Sequence, residues 1–296
     1  MPLSYGSIGG VSGVQTVNRL DPLRNALSAL RGEGSVALVP TMGALHQGHL
    51  ALIREARLRA THVVVSIFVN PRQFGTGEDL STYPRPLERD TQLLEQEGVS
   101  LLWAPAVDEM YPAGYATSVS VGGISDGLCG DTRPGHFDGV ATIVAKLFNQ
   151  IQPDYALFGE KDWQQLALIR RMVRDLDMQR PLANAIIGVP TVREADGLAL
   201  SSRNAYLSPQ QRTQASVLPA AMRGAVTEIA AGKAFDPALA QLRERLLGGG
   251  FSSIDYAEVR DADSLALLTG PGSGSPRLFV AARIGGTRLI DNLAVE

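Results

Sequence analysis

Apolar side chains recur at Val140, Ile143, Val144, Leu147, Phe148 and Ile151, the spacing of a helix that turns one face to a core. Leu166, Ile169, Val173 and Leu176 set the same period for a second helix. A helical pattern follows Gly48 through Leu50, Ile53 and Arg57, and another covers 86–97 with Pro86 near its first turn. Between these segments lie short unbroken apolar runs at 35–40, 63–69, 99–103, 154–158 and 185–189. Such runs read as buried strands, and strands alternating with helices predict βαβ units on a parallel sheet. The expected fold class is α/β: a Rossmann-like parallel sheet with helices on both faces, over residues 1–188.

The texture changes after Pro190. Residues 209–231 are Ala-rich and helical, 239–247 are helical again, and Gly248-Gly249-Gly250 breaks the pattern. Segments 254–259 and 278–282 read as strands. That content predicts a smaller α+β domain over 189–296. Residues up to about Val14 lack any period and predict a loose terminus or a short strand. The Gly-rich stretch 270–276 reads as a loop.

Composition changes this picture little. The chain has 296 residues, 45% of them hydrophobic and 19% charged, as in ordinary globular domains. Its 27 basic and 30 acidic side chains leave a net charge of −3, which argues against general binding to nucleic acid or an acidic membrane. The longest apolar run, 63–69, is far below the about 20 residues of a membrane span. The first residues carry no basic segment ahead of an apolar one, so no signal peptide is expected. A single cysteine, Cys129, excludes an internal disulfide and multi-cysteine metal sites. The expected location is cytoplasmic.

One motif-like stretch carries no chemistry. Gly123-Ile124-Ser125-Asp126-Gly127 matches G-x-S-x-G, but its flanks are Gly-rich, without the strand and helix that a nucleophile elbow needs. Neither the P-loop nor the dinucleotide fingerprint occurs.

The informative stretch is Pro40-Thr41-Met42-Gly43-Ala44-Leu45-His46-Gln47-Gly48-His49. It leaves a buried strand and enters a helix, where unpaired backbone N–H groups and the helix dipole favour an anion. Gly43 and Gly48 leave room for a phosphate. His46 and His49 sit within one turn of each other. Two capping histidines or half a metal site are the alternatives, but zinc needs more ligands nearby. Lys161 follows the strand 154–158 and opens a helix, at the sheet edge where ligands bind in open α/β folds. A Lys-Asp pair there is also an ordinary helix start. Leu200-Ser201-Ser202-Arg203-Asn204 offers hydroxyls and a guanidinium to phosphate oxygens.

His46-Gln47-Gly48-His49 after a first strand resembles the H-x-G-H signature of the class I synthetase and nucleotidyltransferase superfamily. The resemblance sharpens with 68–74 (Phe-Val-Asn-Pro-Arg-Gln-Phe), 83–85 (Tyr-Pro-Arg), 133–140 (Arg-Pro-Gly-His-Phe-Asp-Gly-Val), 158–166 (Phe-Gly-Glu-Lys-Asp-Trp-Gln-Gln-Leu) and 193–198 (Arg-Glu-Ala-Asp-Gly-Leu), with Asp291-Asn292 near the end. Together these are similar to the pantoate–β-alanine ligase family.

That resemblance implies an ATP-dependent ligase: ATP and pantoate give pantoyl adenylate and pyrophosphate, then β-alanine displaces AMP. It implies ATP contacts at Met42, Gly43, Ala44, Leu45, His46, Gln47, Gly48, His49, Gly159, Glu160, Lys161, Asp162, Val192, Leu200, Ser201, Ser202 and Arg203, and pantoate held by Gln73 and Gln165. Each glutamine offers an amide donor and acceptor, and Phe74 an apolar wall.

His46, His49 and Lys161 are the expected catalytic residues. His49 would give a proton to pyrophosphate, because an ordinary imidazole titrates near pH 6.5. Arg133 and His136 are expected on phosphate or over the site. Mg²⁺ would arrive with ATP, with no protein metal site, and a homodimer is implied. The family's late loop carries Met where this chain has Leu200, which puts the packing against adenine in question.

Another adenylyl- or cytidylyl-transferase of the superfamily would explain the histidines but not Gln73, Gln165 and the 159–162 run together. A tRNA-charging enzyme would need a basic domain. A non-catalytic nucleotide-binding regulator is opposed by intact His46, His49, Lys161 and Arg203. The lids available to shield an acyl adenylate are the loop 75–79 and the C-terminal domain, expected to hinge toward the nucleotide.

Overall fold

The structure is a computed structural model that describes residues 13–75, 78–270, 272 and 274–295. The expectation for the N-terminus falls mostly on 1–12, outside the described residues; 76 and 77 of the glycine loop and 271 and 273 of the late loop also lie outside.

The chain runs β1 (Gln15–Val17), α1 (Leu20–Glu33), β2 (Val36–Thr41), α2 (Gln47–Arg57), β3 (His62–Ile67), α3 (Leu87–Gln96) and β4 (Leu101–Trp103). Two short helices, α4 (Val107–Met110) and α5 (Cys129–Thr132), precede α6 (His136–Ile151), β5 (Tyr155–Gly159), α7 (Trp163–Asp175) and β6 (Ile186–Val189). Then come α8 (Pro209–Ala215), α9 (Val217–Ala230), α10 (Phe235–Gly248), β7 (Ser253–Asp261), β8 (Pro276–Ile284) and β9 (Thr287–Ala294).

The first six strands form one sheet in the order β1-β4-β3-β2-β5-β6, and every pairing is parallel. Side chains alternate across it. Val36 and Leu38 of β2 face a core shared with α1, α6 and α7, while Ala37 and Val39 face one shared with α2 and α3. All four are fully buried, which is why the run reads as continuously apolar.

The last three strands form an antiparallel sheet, β7-β8-β9, packed against α9 and α10 around a third core. Leu265 and Phe279 from this part of the chain join the first core, so the small sheet is sealed onto the large one.

Three features differ from the expected pattern. Leu20, Leu23, Leu27 and Leu30 carry a helical period, and α1 forms there. β9 follows a two-residue turn, Gly285-Gly286, with φ of 53° and 83°, the left-handed geometry of a tight hairpin. The Ala-rich helix is two helices, parted at Ser216.

Candidate active site

Sheet order reverses between β2 and β5, whose neighbours were laid down in opposite directions. Open α/β sheets bind ligands at the carboxyl ends of strands beside such a point. The chain leaving β2 carries His46 and His49; the chain leaving β5 carries Lys161 and Asp162. A cleft of about 240 Å³ opens there. Met42, His46, Gly48, His49, Gln73, Gly159, Lys161, Asp162, Gln165, Val192, Leu200, Ser201, Ser202 and Arg203 all line it. Arg133, Lys161, Asp162, Ser201 and Arg203 also border an adjoining cavity of about 480 Å³, walled by the C-terminal sheet.

The histidine turn is more internally bonded than its sequence suggests. The carboxylate of Asp90, on α3 and 1% exposed, accepts the N–H of Ala44 at 2.7 Å and of Leu45 at 2.9 Å. These bonds hold Ala44 at φ 51°, a left-handed conformation unusual for a residue with a Cβ. Burial pushes the Asp90 carboxyl up, and the bonds from Leu45 and Ala44 oppose that shift. The Gly43 N–H bonds Thr41 Oγ1 at 3.2 Å.

The backbone donors of Gly43, Ala44 and Leu45 are thus engaged by Thr41 and Asp90 in this structure. The Leu45 side chain lies in the core and Gln47 points to solvent. None of Gly43, Ala44, Leu45, Gln47 and Glu160 lines the cleft.

What faces the cleft is imidazole. His46 Nδ1 accepts the Gly48 N–H at 3.1 Å, and His49 Nδ1 accepts the His46 N–H at 3.3 Å, a reciprocal cap on α2. Gly48 is required because a Cβ there would lie 2.8 Å from the His46 ring. A nitrogen that accepts carries no proton, so in each neutral ring the proton sits on Nε2.

Burial, aided by Lys161, lowers the His46 pKa to about 4; burial, aided by His46, lowers that of His49 to about 3. Both rings are neutral at pH 7. This arrangement gives His49 an Nε2–H to donate and no second proton in the free protein, where a ring titrating near pH 6.5 was expected. It also disfavours the metal reading, since both Nδ1 atoms are in use and the ring centroids lie 4.1 Å apart. Among the described residues no three His, Cys, Asp or Glu side chains converge as around a metal ion.

The opposite wall is ionic. Arg203 pairs with Asp79 at 2.9 Å and Arg133 with Glu78 at 2.6 Å. His136 Nδ1 donates to the Gln73 carbonyl at 2.8 Å, while Nε2 accepts from Arg133 at 3.0 Å. Arg133 and His136, expected on phosphate or over the site, line the cleft and in this structure brace the Gln73 backbone. Gln73 is also fixed from beneath, because a Cβ at Gly139 of α6 would lie 2.1 Å from the Arg72 carbonyl; only glycine lets the two backbones meet.

Of the two glutamines in α7, Gln164 is buried and binds loop atoms around Cys129, Ile124 and Gly127, while Gln165 turns to the cleft. The G-x-S-x-G stretch is part of that loop, with neither strand nor long helix at its ends.

Several cleft residues had no distinguishing signal. Val140, Ile143, Val144 and Leu147 form its apolar floor, yet their spacing is that of any core stripe. Tyr83, 5% exposed, stacks edge-on against Phe74, and its hydroxyl lies 3.4 Å from Ser202 Oγ.

This arrangement places neutral donors, a lysine and two amides around one cavity. A model of the pantoate-beta-alanine ligase family matches residues 15–294. The chain belongs to that family. Pantothenate synthetase of Novosphingobium aromaticivorans is 62% identical over 283 residues, 95% of this chain and 99% of that protein. The crystal structure of pantothenate synthetase from Thermus thermophilus has a TM-score of 0.88 at 50% identity, covering 95% of this chain and 99% of that one.

A pantoate-beta-alanine ligase from Francisella tularensis, solved in complex with beta-gamma ATP and beta-alanine, has a TM-score of 0.78 at 33% identity, with 95% and 97% covered. The protein is accordingly a ligase that joins pantoate to β-alanine through a C–N bond in an ATP-dependent reaction. No helix among the described residues is long and apolar enough to cross a membrane.

Proposed function

We propose that this cleft makes pantothenate in two steps through pantoyl adenylate. A carboxylate oxygen of pantoate attacks the α-phosphorus of ATP, and the bond from that phosphorus to the α,β-bridging oxygen breaks to release pyrophosphate. The β-alanine amine then attacks the acyl carbon, loses a proton and expels AMP. The supporting observation is that the Nε2–H donors of His46 and His49, the Lys161 ammonium, Gln73 and Gln165 share one cavity at the sheet's switch point.

Each group has a part to play. Lys161 stabilises charge that builds on the α-phosphate, and the two imidazoles donate to the departing phosphates. Such donors act most where water is excluded. Gln73 and Gln165 hold pantoate's hydroxyls and carboxylate over the floor of Val140, Ile143 and Val144, which suits its gem-dimethyl group. Ser201, Ser202 and Arg203 close on the nucleotide from the late loop, with Leu200 and Val192 against adenine.

Mg²⁺ would enter on the ATP phosphates and offset their charge. Asp162, whose side chain is 45% exposed 3.8 Å from Lys161, is placed to hold one of its waters. The proposal extends to a homodimer, as the family resemblance implies, to a cytoplasmic location, as composition suggests, and to residues 189–296 as a domain that covers the site and keeps water from the acyl adenylate. Sedimentation at two protein concentrations checks the dimer.

The deciding experiment uses pantoate labelled with ¹⁸O in its carboxylate. Incubation with ATP and then β-alanine is expected to move one label into AMP, since the attacking oxygen leaves with the phosphorus. Label in inorganic phosphate, with ADP as product, would mean an acyl phosphate and would overturn the adenylate.

A further inference from the structure

Two adjacent residues of β9 hold both loops that carry the phosphate-facing groups, and neither of them lines the cleft. Asn292 is 4% exposed. Its Nδ2 donates to the carbonyls of Glu160 at 2.9 Å and Lys161 at 3.0 Å, and its Oδ1 accepts from Arg277. Carbonyls only accept and a guanidinium only donates, so these partners fix which way the amide points. The residues gripped, Glu160 and Lys161, form the single turn between β5 and α7. Bonding their carbonyls sets the backbone from which the Lys161 side chain departs.

Asp291, with a side chain 1% exposed, takes both arms of Arg193 at 2.6 and 2.9 Å. Arg193 also donates to the Gly197 carbonyl at 3.1 Å. Arg193 bridges Ala199 across a small hairpin, and the Leu200 N–H bonds the Val192 carbonyl at 3.0 Å. That hairpin leads straight into Ser201, Ser202 and Arg203. The two β9 residues are themselves joined, since the Asn292 N–H donates to Asp291 Oδ1 at 2.8 Å.

We propose that Asp291 and Asn292 form a positioning clamp: Asn292 acts on the reaction through Lys161, and Asp291 through the loop that carries Arg203. The clamp sets the distance between two loops that leave neighbouring strands, β5 and β6, and approach the same nucleotide. A strand is a stiff ruler for this, because its residues are pinned by the β8 ladder at Phe279 and Val280. The physical stake is alignment, for a displacement near 1 Å in a catalytic group costs on the order of 10²-fold in rate.

The proposal rests on the roles given above to Lys161 and Arg203, and the test separates the two levels. ATP–pyrophosphate exchange is measured for Asn292→Ala, Asp291→Asn, Lys161→Ala and Arg203→Ala, alone and paired. Asn292→Ala is expected to lower kcat by about 10- to 100-fold while the pantoate KM stays within about 3-fold. In the Lys161→Ala background it should change the residual rate by less than about 2-fold, yet keep its full effect beside Arg203→Ala. Asp291→Asn should show the mirror image. Asn292→Asp keeps the volume but loses the Nδ2 donor, so it should match the alanine variant, and it carries the test should that variant fail to fold.

Losses that multiply in both backgrounds would show that the pair only supports the fold, and would overturn the clamp. Near-normal exchange in Lys161→Ala would overturn the Lys161 assignment itself, and the clamp with it.

Discussion

On one side of the cleft, His46 and His49 are held neutral by burial, with their Nδ1 atoms bonded to backbone N–H groups. On the other, Arg133 and Arg203 stay charged and are held by Glu78 and Asp79. The first wall needs no rearrangement to meet a phosphate, because its outward nitrogens can only donate and are aimed before any ligand arrives. The second wall already holds an anion and must exchange it for another. The four side chains keep 16–27% of their surface exposed, so an entering phosphate can reach each guanidinium and take the carboxylate's place. On the proposed function, donors that act on developing charge sit on the fixed wall, and groups that admit and cover the nucleotide sit on the exchangeable one.

The largest effects should therefore come from the fixed wall and from Lys161, whose charge acts on both of its imidazoles. His49→Ala and Lys161→Ala are each expected to slow ATP–pyrophosphate exchange by about 10²–10³-fold. His49→Ala also removes one half of the α2 cap, so unfolding in urea should show a further loss of about 1 kcal/mol. Near-normal exchange in His49→Ala would mean that the two walls do not differ in the way described.

Next come the amides between the walls. Gln73→Ala and Gln165→Ala should each raise the pantoate KM by about 10- to 100-fold, the cost of leaving a confined polar group without its partner, and move the ATP KM far less. Steady-state kinetics with each substrate varied in turn checks this. A larger shift for ATP than for pantoate would place these glutamines on the wrong ligand.

What could be seen beforehand follows the range of the interactions. The two-sided strands at 36–41 and 62–67 were legible because burial on both faces leaves an unbroken apolar run in the chain itself. His46, His49 and Lys161 were legible because strand-end chemistry is local, and Gln73 and Gln165 came through the resemblance. Asp90 was not, since its partners Ala44 and Leu45 are 46 and 45 positions away and nothing local distinguishes it from a solvated helix carboxylate. Nor could the neutrality of the histidines be read, because burial is a property of the assembled fold. The floor from Val140 to Leu147 stayed hidden for another reason: one helical stripe serves core and cavity alike, and only the packing decides which residue meets which.

A smaller effect should come from the exchangeable wall. Asp79→Asn removes the charge that holds Arg203 without touching the guanidinium. The ATP KM is expected to fall by about 2- to 5-fold, the size of a partly exposed ion pair, and the gain should shrink as salt screens the pair. A rise in the ATP KM would mean that Asp79 orients Arg203 for the nucleotide, and the contrast between fixed and exchangeable walls would have to be abandoned.

A last test concerns protons rather than turnover, and it probes the fixed wall without any ligand. His46 and His136 are lowered to about 4 and His49 to about 3, whereas an imidazole in the unfolded chain titrates near 6.5. Between roughly pH 4 and 6.5 the unfolded chain therefore binds more protons than the folded one, so stability rises with pH across that window and falls on acidification. Above about pH 8 neither state holds these protons and their contribution to the slope vanishes. Near pH 5 unfolding should take up about three protons from these three rings, read as the slope of urea stability against pH. The residue-level check is an NMR titration of the imidazole Cε1 protons, assigned with single variants. His46 and His49 should show no midpoint above about pH 5. A midpoint near 6.5 for His49, the ordinary imidazole value, would give it a proton to transfer at neutral pH, restore it as a general acid, and make that wall a participant in proton transfer instead of a fixed array of donors.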